Sequence, residues 1–219
     1  MHPSHRTLLG EQSWSALCAL APARSRPTRS VLLRQGDPGT HVLALASGSA
    51  VIARRDDRGT RSLLAVRAAG ELLGELSLLD GGVRSATVIA AEPCSVHVVP
   101  AAEFRQFVAE RDLLPLLLRR AVSRIRESEE VRQELATSPV PVRLASALLR
   151  LALSARSRPR EPVTIRLTQD ELAELIGASR NSVVQALAPW REQGWVRVQA
   201  GGGLTVIDSG SLRRVVGAG

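Results

Sequence analysis

An acid and an arginine stand nine residues apart, as Glu75 and Arg84, in the glycine-fronted segment GELSLLDGGVRSATV. A carboxylate can accept hydrogen bonds from the hydroxyls of a ribose, and an arginine can bind a phosphate through two parallel N–H groups. Gly74, Ser85 and Ala86 would offer closely approaching backbone N–H groups, and the Ser85 hydroxyl would add a donor. The segment therefore predicts a site for a sugar phosphate.

The same two residues allow a plainer interpretation. A salt bridge between Glu75 and Arg84 would hold a surface turn together, as many surface turns are held. The acid and the arginine alone leave the ligand site and the structural turn as open alternatives.

A second candidate site lies near the C-terminus, where the sequence has the pattern of two helices joined by a tight turn. Thr168 and Glu171 form a capping box, which starts a helix. Gly177 permits the turn, and Ser179 can cap a second helix that runs to about residue 190. The apolar residues of that second helix are expected to face the core; these are Val183, Val184 and Leu187.

The second helix would then present a polar N-terminal face, consisting of Arg180, Asn181, Ser182 and Gln185. Arginine can bind guanine through O6 and N7, while asparagine and glutamine pair with adenine. A helix that enters the major groove of DNA meets the base edges with such residues. The alternative is a helix pair that serves only packing.

Further features of this region support a DNA-binding module. Thr168 and Ser179, at helix N-termini, are expected to contact phosphates. Strand-like runs on both sides of the AGGG segment at residues 200–203 predict a hairpin of the kind called a wing. A basic loop at residues 156–162 precedes the module.

The residues around the predicted sugar-phosphate site have the sequence pattern of a β domain. Residues 11–20 predict a short amphipathic helix. From about residue 24 to 99, short apolar runs are separated by Gly, Asp and Pro every 8–12 residues, which is typical of an antiparallel β-roll or barrel.

A helical period then replaces the strand pattern from about residue 112 to 136. Asp112 is a candidate cap, and Pro115 falls in the first turn, where its missing N–H costs little. Seven residues spaced 4-3-4-3-4-3 form a heptad seam: Leu114, Leu118, Ala121, Ile125, Ser128, Arg132 and Leu135. The seam favours a dimer, and a surface helix packed on the β domain is the alternative.

The net charge indicates an anionic partner, and a solvated arginine-rich surface is the alternative. The 219 residues carry a formal charge of +8, with a net +3 in residues 1–139 and +5 in the shorter segment 140–219. Basic excess concentrated in one module is expected for nucleic-acid binding. The two cysteines, Cys18 and Cys94, indicate neither a disulfide framework nor a metal cluster.

Other function classes find no support in the residues. The N-terminus shows no signal peptide, and the leucine-rich run at residues 113–118 is too short to span a bilayer. We therefore expect a cytoplasmic protein without a membrane partner. No Ser/His/Asp set, metal spacing or acid pair converges, so neither an enzyme, a metal site nor a prosthetic group is expected.

Taken together, these motifs resemble the Crp/Fnr superfamily of bacterial regulators over nearly the whole chain. The segment RSVLLRQGDPG at residues 29–39 resembles the entry to the family's β-roll. The segment from Gly74 to Thr87 is similar to its phosphate-binding cassette, and residues 167–185 are similar to its helix-turn-helix.

The resemblance implies an allosteric, dimeric DNA-binding regulator. Its implied effector is cAMP, with cGMP as the alternative, in a pocket of six cassette residues and one residue of the dimer helix: Gly74, Glu75, Leu76, Arg84, Ser85, Ala86 and Ser128. Its implied partners are a palindromic operator in double-stranded DNA, a second copy of the chain and, as a further candidate, RNA polymerase.

The sequence thus predicts an α+β fold in three parts. Residues 1–111 would form the β-roll sensor domain, residues 112–138 the dimerisation helix and hinge, and residues 139–219 a winged helix-turn-helix. One rival is a regulator of the same family that binds DNA without a cyclic nucleotide or with another ligand. A second rival is a cyclic-nucleotide-binding module that regulates a protein partner.

Overall fold

The structure is a computed structural model that describes residues 3–155, 162–199 and 202–217. The chain forms two compact units, residues 1–60 with 64–129 and residues 61–63 with 130–219. The basic loop predicted at residues 156–162 and the wing tip predicted at residues 200–203 lie partly outside the described residues.

The N-terminal half alternates a few helices with eight short strands. Its elements are α1 (His5–Ala19), β1 (Ala23–Arg26), β2 (Val31–Leu33), β3 (His41–Ser47), β4 (Ser49–Arg55), β5 (Arg61–Ala68), β6 (Leu72–Leu73), α2 (Leu76–Leu79), β7 (Thr87–Ala90), β8 (Cys94–Pro100), α3 (Ala101–Glu110) and α4 (Leu114–Thr137). The strands form two four-stranded sheets, in the orders β1-β8-β3-β6 and β2-β7-β4-β5.

The C-terminal half is mainly helical. Its elements are α5 (Val140–Ala155), β9 (Val163–Ile165), α6 (Gln169–Ile176), α7 (Arg180–Glu192), β10 (Val196–Val198), β11 (Leu204–Val206) and α8 (Ser209–Gly217). The three strands form one small sheet in the order β10-β11-β9. This arrangement confirms the predicted α+β class, with an antiparallel β domain, a long helix and a winged helix-turn-helix.

Strand β3 explains how the β domain is built, because it is buried on both faces. Successive side chains of a strand point to opposite sides. Leu43 and Leu45 therefore enter the core between the sheets, where Val88 and Val96 also lie. Val42 and Ala44 point the other way, into a second core formed with α1 and α3. One strand thus joins the roll to the helices that cover it.

Helix α1 is longer than the segment 11–20 that the sequence predicted. It begins at His5, capped by Ser4, whose side chain accepts a hydrogen bond from Thr7 N. Gly10 interrupts it with φ 78° and ψ 159°, so a first helical segment precedes the predicted one. The expected apolar contacts do occur, since Trp14 and Leu17 are buried in the second core.

The start of α4 also differs from the expectation. Asp112 was the candidate cap, but the helix begins at Leu114, and Asp112 has a left-handed φ of 48°. The carbonyl of Leu113 accepts hydrogen bonds from the amides of Leu116 and Leu117, so Leu113 takes the cap position. Pro115 lies in the first turn, as predicted.

Two glycines in turns of the β domain allow a matched test of this packing. Gly48 lies between β3 and β4 with φ 78°, and a Cβ there would come within 2.7 Å of Cys94 Cβ and Pro93 O. Gly59 lies between β4 and β5 with φ 80°, and a Cβ there would meet open space. The two positions share backbone strain but differ in steric room.

We expect Gly59→Ala to lower the free energy of unfolding by about 1 kcal/mol, the cost of a left-handed alanine. Gly48→Ala should cost about 3 kcal/mol, because an overpacked contact adds to the same strain. Thermal and urea unfolding of both variants measure the difference. Equal losses would show that the Gly48 turn is not tightly packed.

Candidate functional site

The segment around Gly74 turns sharply between β6 and α2. Gly74 has φ 85°, a conformation that glycine adopts readily, and an added Cβ would collide with the guanidinium of Arg84. Glu75 follows as the residue that precedes α2, and its side chain is buried. The turn therefore brings a carboxylate and a guanidinium close together inside the β domain, although ten residues of chain separate Gly74 from Arg84.

Arg84 is almost fully buried, at 3% exposure. Its Nη1 donates hydrogen bonds to Gly74 O and to Ser77 Oγ, the latter at 2.6 Å, and its Nη2 donates to His41 O. An arginine has five N–H donors. These contacts with described residues use three of them and leave two for an anion.

A cavity of about 300 Å³ reaches the guanidinium. Asp37, Thr40 and His41 line it together with Arg84 and the strand β2. Burial lowers the pKa of Arg84 below its ordinary value, although the charges of Glu75 and Asp37 act in the opposite direction. Burial and the nearby Arg84 charge lower the pKa of His41, so this imidazole is neutral at pH 7.

Glu75 pairs with the long helix rather than with Arg84. Its Oε1 accepts a hydrogen bond from Arg124 Nη1 in α4, and its Oε2 is buried with no hydrogen-bond partner among the described residues. The structural alternative of a Glu75–Arg84 bridge is therefore not what the structure contains. A buried carboxylate oxygen normally accepts a hydrogen bond, so a donor outside the described residues, such as a ligand hydroxyl, would satisfy it.

A second buried carboxylate, that of Glu71, supports this pair. Its Oε2 contacts Arg124 Nη2 at 3.0 Å and His5 Nδ1 at 2.6 Å, and its Oε1 accepts from Arg120 Nη2 at 2.8 Å. Burial alone would raise the pKa of Glu71. The interaction with His5, the charge of Arg124 and the hydrogen bond from Arg120 outweigh burial, so this pKa lies well below its ordinary value.

The network extends along α4. Arg120 Nη1 also donates to Glu127 Oε1 at 2.6 Å, and Arg67 Nη1 lies 3.5 Å from Glu127 Oε2. Three guanidiniums and three carboxylates, those of Arg67, Arg120 and Arg124 with Glu71, Glu75 and Glu127, therefore balance in charge. We refer to these six residues as the ion network.

The structure brings together only part of the set that the sequence proposed. Gly74, Glu75 and Arg84 converge, and Ala86 is buried beside them. Ser85 and Leu76 are exposed at the surface of the same segment, and Ser128 is exposed on α4. The assignment of these residues to a ligand stays a prediction.

Sequence reasoning missed Arg124, Glu71 and Ser77. Arg124 lies 49 residues from Glu75, and no local pattern joins them. The heptad seam drew attention to one face of the helix, whereas Arg124 and the buried Leu117 and Arg120 lie on the neighbouring face, about 100° around the helix. Arg120 and Arg124, four residues apart and so on one helix face, are the signal that could have indicated these contacts.

Most side chains on the seam face of α4 are exposed to solvent in the N-terminal unit. Four apolar side chains on it are 46–59% exposed: Leu114, Leu118, Val122 and Ile125. Val122 was not in the predicted seam, and Ala121, which was, is half-buried. The helix therefore packs one face on the β domain and presents an apolar stripe on the other.

The helix-turn-helix forms as its sequence predicted. Thr168 and Glu171 make a reciprocal capping box, with Thr168 N donating to Glu171 Oε2 at 2.9 Å. Gly177 ends α6 with φ 57°, and Ser179 Oγ accepts from Ser182 N at the start of α7. These local hydrogen bonds satisfy the amides that a helix start leaves free.

The packing of α7 departs from the prediction at one residue. Val183 and Leu187 are buried, but Val184 is 38% exposed and does not face the core. On a helix of 3.6 residues per turn, neighbouring residues point about 100° apart, so Val183 and Val184 cannot share one face. Ala186 and Trp190 take the inward positions instead.

Arg143 fixes the turn between the two helices. Its Nη1 donates to Ile176 O at 2.9 Å and lies within 3.5 Å of Gly177 O and Leu135 O. A cation at the end of α6 satisfies its terminal carbonyls and its negative dipole. No local sequence pattern indicates this contact, because 33 residues separate Arg143 from Ile176.

The N-terminal face of α7 is polar and accessible. Arg180, Asn181 and Gln185 are exposed, and Ser182 is half-buried with its hydroxyl 2.8 Å from Ser179 Oγ. Arg180 Nε lies 3.8 Å from Asp170 Oδ1, with both side chains mostly exposed, so this pair is weak. The predicted hairpin follows as β10 and β11, in which Val196 pairs with Val206.

The described residues contain neither a membrane-spanning helix nor a metal-binding group. Among them, no helix has the length and apolar character needed to cross a membrane. The described histidine, cysteine and carboxylate side chains form no group that could hold a metal ion.

Comparisons with known proteins agree with this geometry. Residues 23–111 match the model of the cyclic nucleotide-binding domain, and residues 142–215 match the Crp-like helix-turn-helix domain. A CRP-like cAMP-activated global transcriptional regulator of Mycobacterium tuberculosis is 31% identical over 191 residues, which cover 86% of this chain and 85% of that protein. The cAMP-activated global transcriptional regulator CRP of Salmonella typhimurium is 30% identical over 171 residues, which cover 76% of this chain and 81% of that protein.

Solved structures share the fold. The catabolite activator protein of Thermus thermophilus is 26% identical, with a TM-score of 0.53 and 98% of each chain covered. The c-di-GMP responsive global regulator CLP of Xanthomonas campestris is 21% identical, with a TM-score of 0.71 and coverage of 91% of this chain and all of that one. With both domain models and these relatives spanning most of its length, the chain belongs to the Crp family of transcriptional regulators.

Proposed function

We propose that this regulator is a homodimer that binds a palindromic operator under the control of a cyclic nucleotide, with cAMP as the effector. Residues 1–111 would act as the sensor, residues 112–138 as the dimer helix and hinge, and residues 139–219 as the DNA-binding domain. The observation that carries the effector proposal is the buried Oε2 of Glu75, which has no hydrogen-bond partner among the described residues.

A cyclic nucleotide suits both groups. The ribose 2′-hydroxyl would donate to Glu75 Oε2, which satisfies the unpartnered acceptor. The phosphate would accept from the two N–H groups of Arg84 that the described residues do not use, with Ser85 and the backbone at Gly74 and Ala86 as further donors. Leu76 and Ser128 would lie near the sugar and the base.

The choice of cAMP rests on the relatives, two of which are named as cAMP-activated. cGMP is the first alternative effector. The responsiveness of the Xanthomonas campestris regulator to c-di-GMP favours, as the second candidate function, a regulator of the same fold with a different ligand.

Dimerisation is supported by the apolar stripe on α4. Four exposed apolar side chains at helical spacing would be covered by the same stripe of a second copy, because a two-fold interface brings identical surfaces together. The neighbouring face of the helix, towards the β domain, carries Arg124, which contacts Glu75. Effector binding at Glu75 would therefore act on the helix that forms the dimer, and through it on the spacing of the two α7 helices.

DNA recognition would use the exposed N-terminal face of α7. Arg180 would contact guanine, Asn181 and Gln185 would contact adenine, and Ser182 would lie on the same base-facing side of α7. Thr168 and Ser179 would contact phosphates. In a dimer the two helices would enter successive major grooves about 34 Å apart. RNA polymerase is a further candidate partner, as expected for an activator. A cytoplasmic location follows from the function.

The effector is tested by calorimetry of the purified protein with cAMP and cGMP. Arg84→Ala should weaken cAMP binding by about 10–100-fold, because a charged hydrogen-bond pair to phosphate is lost. Arg105→Ala, which removes an exposed arginine of α3, is the control and should leave the affinity unchanged. If the wild type binds neither nucleotide at millimolar concentration, the cyclic-nucleotide proposal is wrong.

The dimer is tested by placing a charge on the stripe. Ile125→Glu should give monomers in sedimentation at micromolar concentration, because two carboxylates would face each other across an apolar interface. Arg119→Glu introduces the same side chain at an exposed position about 120° away around the helix and should leave the dimer intact. A wild type that is already monomeric would contradict the proposal.

The DNA interface is tested by selection from random duplexes. The wild type should recover an inverted repeat, and Arg180→Ala should lose about 1–3 kcal/mol per half-site together with the preference for one guanine. Arg191→Ala removes the same side chain about 16 Å further along α7 and should keep that preference. An unchanged guanine preference in Arg180→Ala would refute the assignment of base contacts.

A further inference from the structure

His5 lies in the first turn of α1, yet it is one of the most deeply buried side chains, at 1% exposure. Its Nδ1 is 2.6 Å from Glu71 Oε2. The backbone N of Leu72 lies 3.2 Å from the same ring nitrogen. In the tautomer that carries its proton on Nδ1, the ring donates a charge-assisted hydrogen bond to the carboxylate, and 2.6 Å is the distance of such a bond. The N-terminal helix therefore contributes one polar contact directly to the ion network.

The backbone anchors this contact. Arg6 N donates to Gly70 O at 2.8 Å, which fixes the first turn of α1 beside the residue that precedes Glu71. Gly10 separates this first turn from the rest of the helix, where Trp14 and Leu17 pack in an apolar core. The polar contact of His5 and the apolar docking of α1 are thus carried by different segments.

The contact leads to the candidate effector site in two steps. The Oε2 atom that accepts from His5 is also 3.0 Å from Arg124 Nη2, and the other terminal nitrogen of Arg124 donates to Glu75 Oε1. Arg120 holds Oε1 of Glu71 at 2.8 Å. Glu71 is thereby oriented from two sides, and Arg124 is held between two carboxylates.

We propose that His5 is a positioning residue of the effector site: it orients Glu71, Glu71 orients Arg124, and Arg124 presents the carboxylate of Glu75 to the ribose. This inference rests on the proposed function, in which Glu75 binds the ribose 2′-hydroxyl. The N-terminal helix is then part of the mechanism that selects the sugar, although it lies about 70 residues from the cassette in sequence.

The experiment compares cAMP with 2′-deoxy-cAMP by calorimetry on the full-length protein. The wild type should prefer cAMP, and His5→Ala should reduce this preference about tenfold, as expected for the loss of one well-oriented hydrogen bond to a charged group. His5→Asn should restore much of the preference, because its amide N–H can donate to Glu71.

Trp14→Leu is the control for the docking of α1. It removes apolar contacts from the same helix and should lower the thermal unfolding temperature while retaining the preference for cAMP. If His5→Ala keeps the wild-type preference, or if Trp14→Leu loses as much of it as His5→Ala, His5 has no specific positioning role. A wild type that binds cAMP without preference overturns the role of Glu75 as well.

A measurement on the wild type covers the case in which His5→Ala does not fold. The ring nitrogens of ¹⁵N-labelled histidine can be assigned with variants of the other three histidines, His2, His41 and His97. The His5 resonance should shift on addition of cAMP and shift clearly less with 2′-deoxy-cAMP. Equal shifts with both nucleotides would overturn the proposal.

Discussion

The bond between Arg124 and the two carboxylates of Glu71 and Glu75 is the interaction on which the N-terminal half depends. It joins the glycine turn after β6 to the long helix α4. Charged groups of this kind are costly to remove from water, and loss of one partner leaves the others buried and unpaired. The ion network is therefore stable only as a complete set, which ties the turn, the helix and the first turn of α1 to one geometry.

This constraint explains why α4 has two different faces. The face towards the β domain carries Leu117, Arg120 and Arg124, and these residues are buried or engaged in the ion network. The other face carries the apolar stripe that ends near Ile125. In the proposed regulator, a helix that contacts the buried carboxylate of Glu75 on one side and presents an apolar stripe on the other would link effector binding to dimer geometry.

The DNA-binding half uses a different principle, in which local hydrogen bonds shape the recognition element. The capping box of Thr168 and Glu171, the left-handed Gly177 and the Ser179 cap define where α6 and α7 begin and end. Arg143 then holds the turn by donating to carbonyls at the end of α6. With the turn fixed and the apolar side of α7 buried, the orientation of its exposed polar face follows.

The features that the amino-acid sequence determined by itself are those set by local chemistry. Strand alternation, the heptad period, the capping box and the turn glycines depend on residues a few positions apart, so their elements could be predicted, and the motifs together identified the family. The tertiary structure alone decided the partners of the buried charges. Glu75 meets Arg124 and not Arg84, and His5 meets Glu71, because these pairs are separated by 49 and 66 residues and only the folded chain brings them within hydrogen-bonding distance. Val184 is a different case, because the 3.6-residue period of the helix already places it about 100° from Val183 and away from the core.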